Sequence, residues 1–447
     1  MAVCLWGLSG PGLAQVVERH LDPVPKNVIV MISDGCGHNH VEAANLYQEG
    51  RTGVQIYEQF SLVASMTTFP FRGGYDAQKA WSDFDYVKQG ATDSAAAATA
   101  MSTGIKTTTG AIGVAPDGRR LKHVLELAEE RGKATGVVTS VMITHATPAG
   151  FVAHNVSRDN YVEIAREMIQ KSPVDVLMGC GHPGFGAAGQ PAEKPNYKYV
   201  GGRRLWLALR TNRAGRDVDA DHNGRRDDAW AFVEERAAFR ELGRGETPKR
   251  VMGVAQAEKT LRYGQYTQEN ARPAETGSVD AVPTLAEMTT GALNVLEDDP
   301  DGMFLMVEGG AVDWASHAGD AAGMIGEQIR FNRAVEKVVE WIQKNGGWEE
   351  TLLIVTADHE CGYLCAPTTN AGELPWAYLD LENRGEGSLP GLSWQSSHHT
   401  NLPVPIYAQG PLSETLKTCL ENKGSKLGPY LDNTDLGRVI HQAWEER

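Results

Sequence analysis

Short apolar runs alternate with helical patterns along most of this chain of 447 residues. The clearest runs predict buried strands at residues 27–33, 134–140, 174–178, 303–307, 351–357 and 404–408. Helices are predicted between them at residues 93–103, 120–131, 159–171, 283–296 and 320–344. Because strands that alternate with helices form parallel sheets, the pattern predicts an α/β fold with a large, mostly parallel sheet.

Residues 182–282 interrupt this alternation, since they are rich in glycine, proline, arginine and aspartate and show little periodicity. We interpret them as a large insertion, such as a lid or an interface element. The insertion would lie within a single domain that spans residues 15–447.

Two stretches inside this segment resemble known binding motifs. Residues 184–189 have the spacing of a dinucleotide-binding motif, but prolines follow where that motif opens a helix, so a glycine-rich turn is predicted.

Asp219 begins a stretch like the first half of an EF-hand calcium loop, with Gly224 at the sixth position and Asp227 at the ninth. Trp230 stands at the twelfth position, where that loop needs a bidentate acid. Both a Ca²⁺ site between Asp219 and Asp227 and a solvated acidic turn remain open.

The chain is acidic, with 42 basic and 57 acidic side chains and a net charge of −15. Nucleic-acid binding needs a basic face, so no nucleic-acid partner is predicted. The same charge would repel an anionic substrate from the surface as a whole. A site for such a substrate must therefore carry its own local positive charge.

Residues 1–14 are apolar and end in a small-residue context, although the basic start of a signal peptide is missing. We interpret them as a truncated signal peptide, and the alternative is a remnant of cloning. Cleavage there would make the protein periplasmic or secreted. No later stretch is long and apolar enough to form a transmembrane anchor.

Removal of residues 1–14 would leave five of the six cysteines, so at least one would be unpaired. Cys361 and Cys365 are close enough in sequence to form a disulfide in an oxidising compartment, and buried thiols are the alternative. No CxxC pair indicates a structural zinc site.

The apolar run at residues 303–307 leads directly into three potential metal ligands, Glu308, Asp313 and His317. Asp313 and His317 are four residues apart, so one helical turn would place them on the same face. Carboxylate with imidazole suits zinc, and further oxygen ligands suit magnesium. Taken alone, residues 306–320 fit a polar loop over a core strand equally well.

Acids and histidines also stand at the ends of other predicted strands. Asp34 follows the first strand, Asp358 and His359 follow the strand at residues 351–357, and His398 and His399 precede the last strand. A single acid in such a place would normally cap a helix. Because ligands in open α/β sheets bind at the carboxyl ends of strands, the repeated pattern predicts a multi-metal site.

Ser94 lies at the start of the alanine-rich helix predicted at residues 93–103. Its hydroxyl would lie beside free backbone N–H groups and the positive end of the helix dipole. Without metals nearby, a helix N-cap is the better interpretation. The GxSxG motif of α/β-hydrolases is absent around Ser94, which weakens a Ser–His–Asp triad.

Taken in order, these motifs resemble those of the alkaline phosphatases over residues 27–408, apart from the segment 182–282. They are DG at Asp34, TDSA around Ser94, HATPAGFVAHNVSR from His145 to Arg158, VEGGAVDWASH from Val307 to His317, TADHE from Thr356 and HT at His399. The resemblance implies a three-layer α/β/α sandwich and a homodimer. It also implies hydrolysis of small phosphate monoesters through a phosphoserine, with broad substrate specificity.

The resemblance further implies a role for each matching residue. Ser94 would be the nucleophile, and Arg158, eleven residues after Thr147, would bind phosphate. Two Zn²⁺ and one Mg²⁺ are implied. The first zinc would be bound by Asp313, His317 and His399, and the second by Asp34, Asp358, His359 and Ser94. The magnesium would be bound by Asp34, Thr147 and Glu308. His399 is preferred to His398 because the family's histidine precedes a small or hydroxyl-bearing residue.

Two residues depart from the family pattern. Trp314 stands where many members carry a lysine or histidine that contacts phosphate through water, and His145 stands where some carry an aspartate near the magnesium. Both changes imply weaker phosphate binding and faster product release. His145 also leaves the third metal open, since an imidazole favours zinc or cobalt.

The sequence also leaves two alternative functions. One is a phosphodiesterase or sulfatase of the same superfamily. Sulfatases need a proline- and arginine-bearing motif that is absent around Ser94, and diesterases typically use threonine and lack the Arg158 pattern. The other is a non-catalytic surface protein that binds metal through the acidic loop at Asp219 without hydrolysis.

Overall fold

The computed structural model describes residues 23–445, except for residues 187–188, 222, 265–272, 274–280, 368–377, 379–380 and 422–424. The predicted signal peptide, residues 1–14, lies outside the described residues. Among the helices of the described residues, none combines the length and the hydropathy that crossing a bilayer requires.

The described strands include the six that the apolar runs predict. They are β1 (Asn27–Ser33), β2 (Leu62–Thr67), β3 (Ala134–Met142), β4 (Val176–Cys180), β5 (Ala231–Val233), β6 (Val251–Val254), β7 (Met303–Gly309), β8 (Thr351–Thr356), β9 (Glu360–Cys361), β10 (Leu364–Cys365), β11 (Ser393–Trp394), β12 (His399–Thr400), β13 (Val404–Gln409) and β14 (Tyr430–Asp432). Within the central sheet the sequence prediction missed β2, β5, β6 and β14, of which the last three have only three or four residues. It also missed the two-residue strands β9, β10, β11 and β12.

The central sheet is mostly parallel, as predicted. Among the described residues its strand order is β14-β2-β13-β8-β1-β7-β3-β4-β6-β5. β1 lies between β8 and β7 and runs parallel to both, whereas β13 runs antiparallel to both of its neighbours. Every residue of β1 and β7 is buried, which explains why these strands are continuous apolar runs rather than alternating patterns.

Helices cover both faces of the sheet and complete a three-layer α/β/α sandwich. The described helices are α1 (His38–Glu49), α2 (Ala77–Ala80), α3 (Ser94–Thr103), α4 (Val124–Glu130), α5 (Ala146–Ala149), α6 (Tyr161–Gln170), α7 (Arg203–Leu209), α8 (Arg236–Leu242), α9 (Leu285–Leu296), α10 (Ala311–His317), α11 (Ala321–Lys344), α12 (Ser413–Thr418) and α13 (Thr434–Glu445). One layer contains α1, α8, α9 and α11, and the other contains α3, α4 and α13.

The predicted helices begin one to four residues later than the sequence pattern indicates. α4 begins after His123 and α6 after Asn160, so both begin later than predicted. Thr284 caps α9 and accepts a hydrogen bond from the backbone N–H of Glu287, as in a capping box.

Part of the segment 182–282 extends the central sheet. β6 pairs in parallel with β4, and β5 pairs in parallel with β6. Phe185 and Pro191 form an antiparallel bridge, so the described part of the glycine-rich stretch is a turn, as predicted. The boundaries of a single domain with an insertion stay a prediction.

The cysteines of the described residues are free thiols. Cys361 in β9 and Cys365 in β10 are both buried and unbonded. The structure therefore matches the buried-thiol alternative rather than a disulfide.

Candidate metal centre

The carboxyl ends of three adjacent strands bring the first candidate ligands together. Ile32 of β1 lies opposite Glu308 of β7 and Thr356 of β8. Asp34 and Asp358 each follow two residues later, so they meet Glu308 at the same edge of the sheet. All three carboxylates are fully buried.

Asp313, His317 and His399 form the first group of candidate ligands. Asp313 Oδ1 lies 3.3 Å from both His317 Nε2 and His399 Nε2, and these nitrogens are 3.1 Å apart. The Nδ1 atom of each histidine faces a backbone carbonyl, at 2.7 and 2.9 Å, which fixes the ring orientation. His398 is exposed and is not a member of this group.

Asp34, Asp358 and His359 form the second group, and Ser94 lies against it. His359 Nε2 is 3.2 Å from Ser94 Oγ, 3.2 Å from Asp358 Oδ2 and 3.5 Å from Asp34 Oδ1. The His359 ring stacks on the His399 ring at 3.6 Å, which joins the first two groups. Burial holds the pKa of His359 well below its usual range, so the imidazole is neutral, the form that binds metal.

Asp34, Glu308 and His145 form a third group, whose ligand atoms lie within 4.8 Å of one another. His145 is the N-cap of α5, and Thr147 lies in the first turn of that helix. Burial raises the pKa of Glu308 to about 7, and the neighbouring hydroxyl of Thr147 acts in the opposite direction. Thr147 therefore lies near Glu308, and its role as a ligand stays a prediction.

Buried polar atoms without hydrogen bonds identify the centre as a cation site. Among the described residues these atoms include both Asp34 oxygens, Glu308 Oε1, Asp313 Oδ1, Asp358 Oδ2, Thr147 Oγ1 and His145 Nδ1. Native proteins rarely leave such atoms unpaired, and buried carboxylates without a counter-charge are costly. Carboxylate, imidazole and hydroxyl donors together fit zinc and magnesium.

The pKa values of Asp34 and Asp358 reflect the crowding of buried carboxylates at the strand ends. Burial, together with the charges of Asp358 and Asp313, holds the pKa of Asp34 well above its usual range. Burial also raises the pKa of Asp358 to about 6. Divalent cations would remove this cost, because they pair with the carboxylates in their ionised form.

Arg158 lies beside the centre and is held by Asp93. Arg158 Nη1 donates to Asp93 Oδ2 at 2.9 Å, and Arg158 Nη2 lies 3.3 Å from His145 Nε2. Asp93 also accepts the backbone N–H groups of Ala96 at 3.1 Å and Gly110 at 3.0 Å. One carboxylate thus fixes both the start of α3 and the arginine. Sequence reasoning missed Asp93 because its N-cap position explains an acid there without a second partner.

Two other residues of the centre were also missed. Gly35 has φ +77°, and a Cβ there would lie 2.7 Å from Asp313 Cα, so only glycine fits between the first two groups. The Cys361 thiol belongs to the first group by distance. The glycine next to Asp34 was a signal for such a close approach, whereas Cys361 was considered only as a disulfide partner.

The acidic loop at Asp219 forms a separate cluster. Oxygens of Asp219, Asp221 and Asp228 lie within 4.8 Å of one another. Asp228 takes the place predicted for Asp227, because its Oδ2 accepts the backbone N–H groups of Ala220 and Asp221 at 2.7 and 3.1 Å. These bonds also occur in an acidic turn, so a Ca²⁺ ion there stays a prediction.

A mostly parallel sheet, with buried acids and histidines at its strand ends around a helix-capped serine, defines a metal-dependent enzyme of the α/β class. Residues 25–388 match the family model for alkaline phosphatase, and the chain belongs to the alkaline phosphatase family. It is therefore a metal-dependent hydrolase of phosphate monoesters.

Individual relatives match over most of their length. Alkaline phosphatase 3 of Bacillus subtilis strain 168 is 30% identical over 94% of this chain and 88% of its own length. The alkaline phosphatase of Escherichia coli K12 is 31% identical over 90% and 85%. The solved alkaline phosphatase from the Antarctic bacterium TAB5 superposes with a TM-score of 0.61 at 25% identity, covering 95% of this chain and 99% of that one.

Proposed function

We propose that Ser94 is the nucleophile of this phosphatase and that the reaction passes through a phosphoserine. The observation that carries this proposal is the position of the hydroxyl, which is buried at the first residue of α3 and 3.2 Å from His359 Nε2. Attack by Ser94 Oγ on phosphorus forms an O–P bond as the bond to the alcohol breaks. Water then releases inorganic phosphate and restores the serine.

Two zinc ions and one magnesium ion are the proposed metals. Asp313, His317 and His399 would hold the first zinc, and Asp34, Asp358 and His359 would hold the second, with Ser94 as a further ligand. When bound, these ions supply positive charge that lowers the pKa of a coordinated hydroxyl and offsets the charge of the phosphate. The unpaired carboxylate oxygens and the neutral His359 ring support this assignment.

Arg158 is the proposed phosphate-binding residue. Its guanidinium has five N–H donors, and Asp93 accepts only from Nη1, so further donors are free for two phosphate oxygens. Asp93 would act as a positioning residue, because it aligns the arginine with the helix that carries Ser94.

Asp34, Thr147 and Glu308 would hold the magnesium. A histidine-to-aspartate mutant of the TAB5 enzyme, 26% identical to this chain, has Mg bound in its M3 site. In this chain His145 stands beside Asp34 and Glu308, so the third site also suits a softer ion such as zinc or cobalt.

Trp314 is the second departure from the family pattern, and it lies next to the first. Its ring centre is 6.0 Å from that of His145, with the two rings edge to face. Neither side chain places a fixed positive charge at the phosphate, so we expect weaker phosphate binding and faster product release. Broad specificity, a homodimer and a periplasmic or secreted location stay predictions.

Replacement of Ser94 by alanine tests the proposal. Turnover of phenyl phosphate should fall by about 10³-fold or more, because the residue that accepts the phosphoryl group is lost. Ser102→Ala is a matched control, since Ser102 is a buried serine of the same helix. Near-normal turnover by Ser94→Ala would contradict the proposal, and faster turnover of diesters than of monoesters would favour the phosphodiesterase alternative.

A further inference from the structure

A further cluster of side chains that could bind a metal lies outside the three groups around Ser94 and the acidic loop at Asp219. His123 Nδ1 is 3.4 Å from Glu126 Oε2, and His154 Nε2 is 3.6 Å from the same oxygen. The two imidazole rings lie 4.2 Å apart, centre to centre. One carboxylate oxygen therefore sits between two histidine nitrogens.

His123 is completely buried, and neither of its ring nitrogens makes a hydrogen bond to the described residues. Buried polar side chains are normally hydrogen-bonded, so this ring lacks the partner that its position requires. Burial also holds the pKa of His123 well below its usual range, so the ring is neutral and has a lone pair for a cation.

His154 has the orientation of a metal ligand held from behind by a carboxylate. Its Nδ1 lies 3.0 Å from Glu167 Oε1, and its Nε2 faces Glu126 Oε2 at 3.6 Å. The Leu121 carbonyl lies 2.7 Å from Nε2, and Arg120 Nε lies 3.2 Å from it. A single ring nitrogen cannot donate to the carbonyl and accept from the arginine, so one of these contacts is unsatisfied.

Arg120 provides the positive charge of the cluster in this structure. It donates to Glu126 Oε1 as well as to His154. The Arg120 side chain is 64% exposed, so it can move into solvent at little cost. Glu126 itself is held in place, because its Oε2 accepts the backbone N–H of His123 at 3.1 Å.

We propose that His123, Glu126 and His154 bind a further divalent cation of the zinc class, separate from the metals at Ser94. Ligands about 2.0–2.2 Å from a tetrahedral zinc ion are roughly 3.3–3.5 Å from one another. The 3.4 and 3.6 Å separations in the cluster match this geometry. The cation replaces the Arg120 guanidinium and satisfies the lone pairs of both rings.

The cation would stabilise the segment that carries Arg158. Ile112 bridges to Asn155, and the backbone N–H of Arg158 donates to the Gly110 carbonyl at 2.7 Å. A metal bound at His123 and His154 would add a tie between these parts of the chain, since His154 is next to Asn155 and His123 is eleven residues after Ile112. The site is therefore structural and does not depend on the proposed function of Ser94.

Metal content measured on the folded enzyme tests this proposal. Wild type and Glu126→Gln are dialysed against the same zinc buffer and compared by elemental analysis. Glutamine can still cap α4, so the fold is retained. We expect one zinc per chain fewer in Glu126→Gln, with affinity at this site at least about tenfold weaker. Equal zinc content at every free zinc concentration would overturn the proposal.

Two further variants separate this site from the metal centre. The Asp313→Asn variant weakens the first zinc group. In this background, adding Glu126→Gln should still lower the zinc content by one per chain. Added zinc should raise Tm more in Asp313→Asn than in the double variant. Arg120→Gln removes the competing cation, so it should bind the additional zinc at least as tightly as wild type. Loss of that zinc in Arg120→Gln, or no difference in the Asp313→Asn background, would also overturn the proposal.

Discussion

Two charged clusters in this protein differ in how their negative charge is compensated. Glu287 of α9 is paired with Arg236 at 2.9 Å and Arg240 at 2.6 Å, both on α8. Asp34 and Asp358, at the strand ends, are fully buried and retain oxygens without any hydrogen bond to the described residues. Glu287 is paired with two arginines, whereas Asp34 and Asp358 form no ion pair with a lysine or arginine of the described residues and lie within ion-pair distance only of His359.

The pKa values follow this difference. Burial alone would raise the pKa of Glu287, but hydrogen bonds from Arg236, the Thr284 backbone N–H and Arg240 outweigh it and lower the pKa to about 2. Burial, together with the charge of Asp313, raises the pKa of Asp358 to about 6. A cluster that stabilises the fold pairs its own charges, while one that binds cations leaves oxygens available for them.

Of the changes that test this comparison, metal removal should produce the largest effect, and it should act on the strand-end cluster and not on the Glu287 cluster. Treatment with a strong chelator is expected to reduce phenyl phosphate turnover by at least about 10²-fold and to lower Tm, since the buried carboxylates lose their counter-charge. Zinc and magnesium should restore both. Glu287→Gln should respond to the chelator just as wild type does, and undiminished activity of the metal-free protein would contradict the comparison.

Arg158→Lys should produce a smaller effect, because lysine keeps the charge but loses the planar fork. A decrease of about 10–10²-fold in kcat/KM is expected, corresponding to the loss of one charge-assisted hydrogen bond. Asp93→Asn should lower kcat/KM less, since Arg158 stays in place but is less firmly oriented. Steady-state kinetics at matched metal content measures both, and an Asp93→Asn defect larger than that of Arg158→Lys would refute the positioning role.

Glu287→Gln should produce the smallest effect, which should appear only in stability. The pairs are partly exposed and screened, so a loss of about 0.5–1 kcal/mol in the free energy of unfolding is expected near neutral pH. Because the folded pKa is lowered, wild type keeps this contribution above about pH 4.5 and loses it as pH falls towards 2. Urea unfolding across this range should show a shallower acid dependence in the variant, with kcat/KM at neutral pH unchanged.

The sheet and the strand-end ligands could be predicted because their signals are local. Asp34, Glu308 and Asp358 each end a continuous apolar run, and the carboxyl ends of parallel strands meet at one edge. Strands β5 and β14 have three residues each and were missed, since so short a run has no readable period.

The contacts between distant segments could not be predicted in this way. Asp93 joins Ala96, Gly110 and Arg158, and no spacing in the sequence connects these residues. His123 and His154 are 31 residues apart, in segments that meet only through the fold. Asp228 replaced the predicted Asp227 because the backbone of the acidic loop turns towards it, which the spacing of an EF-hand loop does not anticipate.

The most direct test of the central claim is to trap the phosphoryl group on the protein. The metal-loaded enzyme is mixed with a phosphate monoester, quenched in acid and digested, and the peptide that contains Ser94 is analysed by tandem mass spectrometry. One phosphoryl group on Ser94 Oγ, absent from the Ser94→Ala variant, is the result that a Ser94 nucleophile predicts. Rapid turnover with no phosphorylated Ser94, or with the phosphoryl group on another residue, would contradict it.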